Sequence, residues 1–169
     1  MDIREALLKE HSKKQCLRIV KYVGPSPERF RELVTLFLSD EYRVVQRAAW
    51  PVSYCVEEHP ELMKPYWGKF IKCLGAKGTH TAVSRNIMRL LQYNDIPKRY
   101  QGQVMDACFH FIADPQEAAA VKAFSLTVLY NLYKLYPEIL SEIKTIIEER
   151  WATETPAFKV RARVFLKLS

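Results

Sequence analysis

Apolar residues recur along the chain at intervals of three and four, and the period-two alternation of a half-buried strand is absent. Leu, Ala, Lys, Glu and Arg fill long runs between few glycines, a composition that favours helix throughout. Caps and prolines divide the pattern into nine predicted helices, over 2–23, 27–38, 40–58, 60–74, 79–93, 97–113, 115–135, 137–151 and 156–168. Pro27, Pro60, Pro97, Pro115, Pro137 and Pro156 fall at or near first turns, where a missing N–H costs nothing. Ser26, Asp114 and Thr155 precede three of them as caps. Connections this short force each helix to run antiparallel to the one before, so the chain reads as repeated helical hairpins.

The hairpins have a period. Arg47, Arg85, Lys122 and Arg161 follow one another at 38, 37 and 39 residues, and amphipathic runs such as RAAWPVSYCV, RNIMRLLQYN and KAFSLTVLYN start at the first three. A period near 40 belongs to helical-hairpin solenoids. PELMKPYWGKFIKCL, from Pro60 to Leu74, resembles a HEAT first helix with its internal proline at Pro65. DEYRVVQRAAW, from Asp40 to Trp50, resembles a HEAT second helix that opens on Asp and reaches Val-x-x-Ala-Ala. By period the likeness to HEAT and armadillo-type repeats covers nearly the whole chain. It implies an all-α, right-handed α-α superhelix of about nine helices, in roughly four hairpin repeats with a capping helix, forming one domain over 1–169. The position where such repeats usually carry arginine holds Gln46, with Arg47 one place later, so that arginine's role does not transfer directly.

On this plan 27–38, 60–74, 97–113 and 137–151 form an outer row and the other helices an inner row. Charge then becomes informative. The chain has a formal net charge of +7. The inner row holds 16 Lys and Arg against 8 Asp and Glu, and the rest of the chain, the outer row with its connections, 10 against 11. A basic concave surface follows, suited to acidic protein segments or phosphates. Its candidate binding residues are Arg43, Arg47, Trp50, Arg85, Arg89, Lys122, Arg161 and Arg163, with Lys13, Lys14, Arg18 and Lys167 towards the two ends. A competing expectation is structural: Arg47, Arg85, Lys122 and Arg161 tie adjacent repeats together by meeting acids or helix C-termini. Pro51, inside a predicted helix, is expected to kink it and open a groove beside Trp50, which could stack on a base, anchor a peptide or fill the core.

Reaction chemistry is not apparent. The sequence has no G-x-S-x-G, H-E-x-x-H, Walker or G-x-G-x-x-G motif. Cys16, Cys55, Cys73 and Cys108 form no CxxC pair and read as buried thiols, and His11, His59, His80 and His110 are isolated, with His110 read as a core or boundary residue. No metal and no small-molecule cofactor is expected. Gly75-Ala76-Lys77-Gly78 superficially matches the clamp of KH domains, but that fold needs a sheet; the loop reads as a connection, with Thr79 capping the next helix.

The prediction is a non-enzymatic scaffold that binds a protein partner or acidic ligand on its basic concave face. The alternative is nucleic-acid binding, because Gln46-Arg47-Ala48-Ala49 followed by Trp50 resembles helix openings of HEAT-like DNA alkylation repair proteins. That resemblance implies an acid beside the aromatics for glycosylase activity, and none occurs within a turn of Trp50. A helical lyase would need a Gly/Ser-rich catalytic loop, which is missing. No basic-then-apolar leader opens the sequence and no run suits a bilayer span, so a cytoplasmic location without membrane association is expected.

Overall fold

The structure is a computed structural model and describes residues 1–76, 78–79 and 81–169; Lys77 and His80 lie outside the described residues, and with them part of the 75–78 loop reading and one of the four histidines. Among the described residues there are ten α-helices and no strand: α1 Ile3–Lys9, α2 Lys13–Val23, α3 Pro27–Phe37, α4 Tyr42–Glu58, α5 Trp67–Gly75, α6 Thr81–Leu91, α7 Lys98–Ala113, α8 Ala119–Tyr133, α9 Leu140–Arg150 and α10 Pro156–Leu166. The all-helical fold is as the periodicity predicts. Its helices group into two compact units, Met1–Tyr93 and Asn94–Ser169.

In the first unit, the segment predicted as one helix over 2–23 is two. Asp2 caps α1 by accepting the Glu5 N–H at 2.8 Å, and Ser12 caps α2 by accepting the Gln15 N–H at 3.1 Å. Two caps within one apolar pattern restart the helix, and the Gln15 amide donates to the Ala6 carbonyl at 2.7 Å to join the pieces. Next, α4 packs against α3, α2 and α6. The HEAT-like first helix begins as a 3-10 stretch, Pro60–Tyr66, because Pro65 lacks the N–H that a regular α-turn would bond to the carbonyl of Glu61; α5 starts only beyond it. Phe30, Phe37 and Phe70 are fully buried, with Phe37 edge-on to Phe70 at 5.7 Å and Phe30 edge-on to Tyr66 at 5.6 Å. Pro51 does not break α4, which runs through it from Tyr42 to Glu58.

In the second unit α7 packs against α8 and α9, and α10 packs against α8 and α9. Here α8 starts four residues later than predicted. Asp114 accepts the Gln116 N–H at 2.8 Å and closes a local turn around Pro115 instead of capping a helix. Thr155 caps α10 as expected, accepting the Phe158 N–H at 3.3 Å, and Ser26 does the same for α3 through Arg29 at 3.3 Å. Phe158 and Phe165 fill the core beneath α10, and Tyr130 of α8 meets Phe165 edge-on at 5.9 Å.

Candidate functional site

Three of the four cations that mark the repeat period reach a neighbouring hairpin. Arg47 on α4 donates from Nη1 to the carbonyls of Leu7 at 3.0 Å and Leu8 at 2.8 Å, so it caps the C-terminus of α1 with the charge that end favours. Lys122 is 4% exposed and donates to Glu154 Oε1 at 2.7 Å. The same oxygen accepts from Arg150 Nε at 3.3 Å and Nη2 at 3.2 Å. Arg161 donates from Nε to the Thr127 hydroxyl at 3.1 Å and lies 5.8 Å from the Phe124 ring centre. Arg85, the fourth, is exposed on α6 and makes no ion pair among the described residues.

Lys122 is therefore a correction to the set of candidate binding residues: it is a buried ion-pair member, not a surface cation. The reason lies in the run AAAVKAFSLTVL, which places a lysine on a helix buried almost all round. Such a charge is tolerated only with a partner. Sequence reading missed Glu154 and Arg150 as that partner set, although a lysine inside so apolar a run is itself the signal that an acid must meet it.

Trp50 is half-buried between His11, 5.9 Å away, and Tyr54, 6.4 Å away. The cavity bounded by Trp50, Pro51, His11 and Arg47 measures about 10 Å³, enough for about one water and no more. The expected groove at the proline is therefore filled, and Trp50 packs there.

Arg43, Arg47, Trp50 and Tyr54 share one stripe of α4 at helical spacing, and Arg85 and Arg89 share one of α6. On α2 the exposed Lys14, Arg18 and Lys21 repeat the pattern. Because α4 packs against both α2 and α6, these stripes belong to neighbouring helices of one unit. The charge of Arg89 reaches Cys16 across the same layer. In the second unit Arg163 is exposed and lies 5.9 Å from the Trp151 ring centre, with Lys159 at 5.7 Å from the same ring.

Burial pushes the Cys16 thiol up to about 11, Arg89 offsetting part of the effect. Burial also raises Cys55 to about 12, with Glu58 adding to it, and Cys108 to about 12 against the opposing effect of the Ser125 hydroxyl. These thiols stay protonated at neutral pH and are poor nucleophiles. All four cysteines are free. Among the described residues no three of His, Cys, Asp and Glu converge as metal ligands, and no helix is long and apolar enough to cross a membrane. His110 is exposed on α7 and not in the core; its Nδ1 lies 2.8 Å from the Asp106 carbonyl oxygen.

No curated protein and no solved structure matches the chain. The family model described as HEAT repeat domain matches residues 3–167, and on that match the chain belongs to the HEAT repeat family.

Proposed function

We propose that residues 1–169 act as one non-enzymatic interaction module, whose Met1–Tyr93 unit binds an acidic segment of a protein partner through the cations of α2, α4 and α6. HEAT repeats typically mediate protein interactions, and HEAT repeat domains are generally scaffolds. The observation that carries the reading is a charge count on packed neighbours. These three helices hold eight Lys and Arg and only two acids, Glu57 and Glu58, both at the far end of α4. None of the eight is in an ion pair among the described residues. Exposed like charges held together repel one another, and an acidic ligand relieves that repulsion while being steered to it. Arg43, Arg85 and Arg89 are the central contacts, with Lys14 and Arg18 beside them. Arg161 and Arg163 supply a smaller cationic face in the second unit.

Fluorescence anisotropy with a labelled Glu-rich peptide and a mixed-sequence DNA duplex tests this. The reading expects peptide binding that weakens as salt rises and falls at least about tenfold in Arg43→Glu/Arg85→Glu, with the duplex binding more weakly. The half-burial of Trp50 beside His11 and Tyr54 supports the protein reading over the nucleic-acid one, since two rings already neighbour the indole. Tighter binding of DNA than of peptide, or no peptide binding at low salt, would overturn it. The reading places the protein in the cytoplasm; imaging of a tagged chain checks that.

A further inference from the structure

A second surface lies on α7 and α9 of the Asn94–Ser169 unit, and its chemistry is the opposite of the cationic stripes. An open groove of about 430 Å³ runs between α7 and α9. Met105 and Phe109 of α7 and Ile146 of α9, each only half-buried, form its floor. Asp106 and Glu142 stand on its two rims, and no Lys or Arg lines it. In a chain of net charge +7 this is a local reversal of sign. Glu142 makes no ion pair among the described residues, and Asp106 has only the exposed His110, 3.9 Å away.

Gly102 adds an independent observation. It occupies the interior of α7, where glycine costs roughly 0.5–1 kcal/mol relative to alanine. Its backbone is not in the left-handed region, and a Cβ built on it would meet nothing within 4 Å. Neither conformation nor internal packing therefore calls for glycine. What its missing side chain provides is an open end to the groove.

The geometry points to this groove as a docking site for a basic amphipathic helix from a partner protein. Twelve residues of α7, from Gly102 to Ala113, span about 17 Å, the length of about three helical turns. Leucine-type side chains at i, i+4 and i+7 of such a helix reach Met105, Phe109 and Ile146, and the methionine adapts to their shape. Lysines or arginines flanking that face meet Asp106 on one side and Glu142 on the other. Strand addition has no counterpart here, since the described residues include no sheet edge.

The test uses the full chain and two labelled designed helices of about 14 residues, with leucine on one face and either lysine or glutamate on the flanks, followed by anisotropy. The lysine helix is expected to bind and the glutamate helix not to bind at this groove. Binding of the lysine helix falls at least about tenfold in Gly102→Phe and in Asp106→Lys/Glu142→Lys, and survives in Arg43→Glu/Arg85→Glu, which separates this site from the cationic one. Gly102→Ala retains binding and melts no lower than the parent. If Gly102→Phe fails to fold, the exposed Asp106→Lys/Glu142→Lys pair carries the test. Equal binding of the lysine helix by parent and rim variants, no binding at low salt, or self-association of the chain that these variants abolish would each overturn the proposal.

Discussion

Of the cations on the repeat period, Arg47 in the Met1–Tyr93 unit is half-exposed and anchors a helix end, whereas Lys122 in the Asn94–Ser169 unit is sealed inside the fold. Arg47 spends its guanidinium on two carbonyls of α1, whereas Lys122 spends its ammonium on Glu154. Both serve the stacking of hairpins, by different chemistry. Arginine's forked donors can satisfy two carbonyls at once while its stem lies along the surface. A buried lysine presents one compact charge and requires an acid. The lesson is that a cation kept in register along a repeat is evidence of repeat-to-repeat contact, while the charges available to a ligand lie largely off that register, at Arg43 and Arg89, with Arg85 as the register member left exposed.

The largest break in this comparison is Glu154→Ala, which leaves Lys122 and Arg150 without their shared carboxylate. It should cost about 3–5 kcal/mol in urea unfolding. Lys122→Met, by contrast, keeps the Arg150–Glu154 pair and should cost about 2 kcal/mol or less. Arg47→Ala removes two charge-assisted bonds from the end of α1 and should cost about 1.5–3 kcal/mol, with faster amide exchange confined to Ile3–Lys9 and its contacts. A cost under about 0.5 kcal/mol for Arg47→Ala would deny it the tying role.

The buried thiols give a smaller, pH-dependent effect. Their folded values are raised, so the folded state holds those protons more tightly than the unfolded chain. Their contribution is complete below the unfolded thiol value near 8.5 and is lost as pH climbs towards 11 for Cys16 and 12 for Cys55 and Cys108. Unfolding midpoints should therefore decline from about pH 9 upward, and decline less steeply in Cys55→Ala. The smallest effect on stability belongs to Arg43→Glu/Arg85→Glu, within about 0.5 kcal/mol in total, since neither residue has an ion pair to lose among the described residues.

Much of the architecture was legible in residues because helix periodicity, caps and prolines act locally. Ser26 and Thr155 cap the helices they were expected to cap. The misses are also physical. Ser12 was read through because the apolar pattern continues on both sides of it, yet its hydroxyl suffices to restart the helix. Asp114 has the chemistry of either a cap or a turn, and Pro115 does not decide between them. Pro51 is expected to open a groove beside Trp50; α4 continues through it, and Trp50 packs against it with room for about one water between them. For the candidate site, sequence located the cations but could not tell which were engaged. That depends on partners 30 to 40 residues away, Glu154 for Lys122 and Leu7 with Leu8 for Arg47. The acidic groove escaped notice because its members lie on two helices, and a lone glycine in α7 signals nothing until the space beside it is seen.

The central claim, that Arg47, Lys122 and Arg161 build the stack while Arg85 and the cations off the register meet the ligand, is tested most directly by mapping amide shifts as a Glu-rich peptide is titrated into the labelled chain. The account predicts saturable shifts clustered at Arg43, Arg85 and Arg89 with Lys14 and Arg18, while Lys122 and Glu154 stay unmoved. Shifts centred on Lys122 and Glu154, or none on α4 and α6 at saturating peptide, would contradict it.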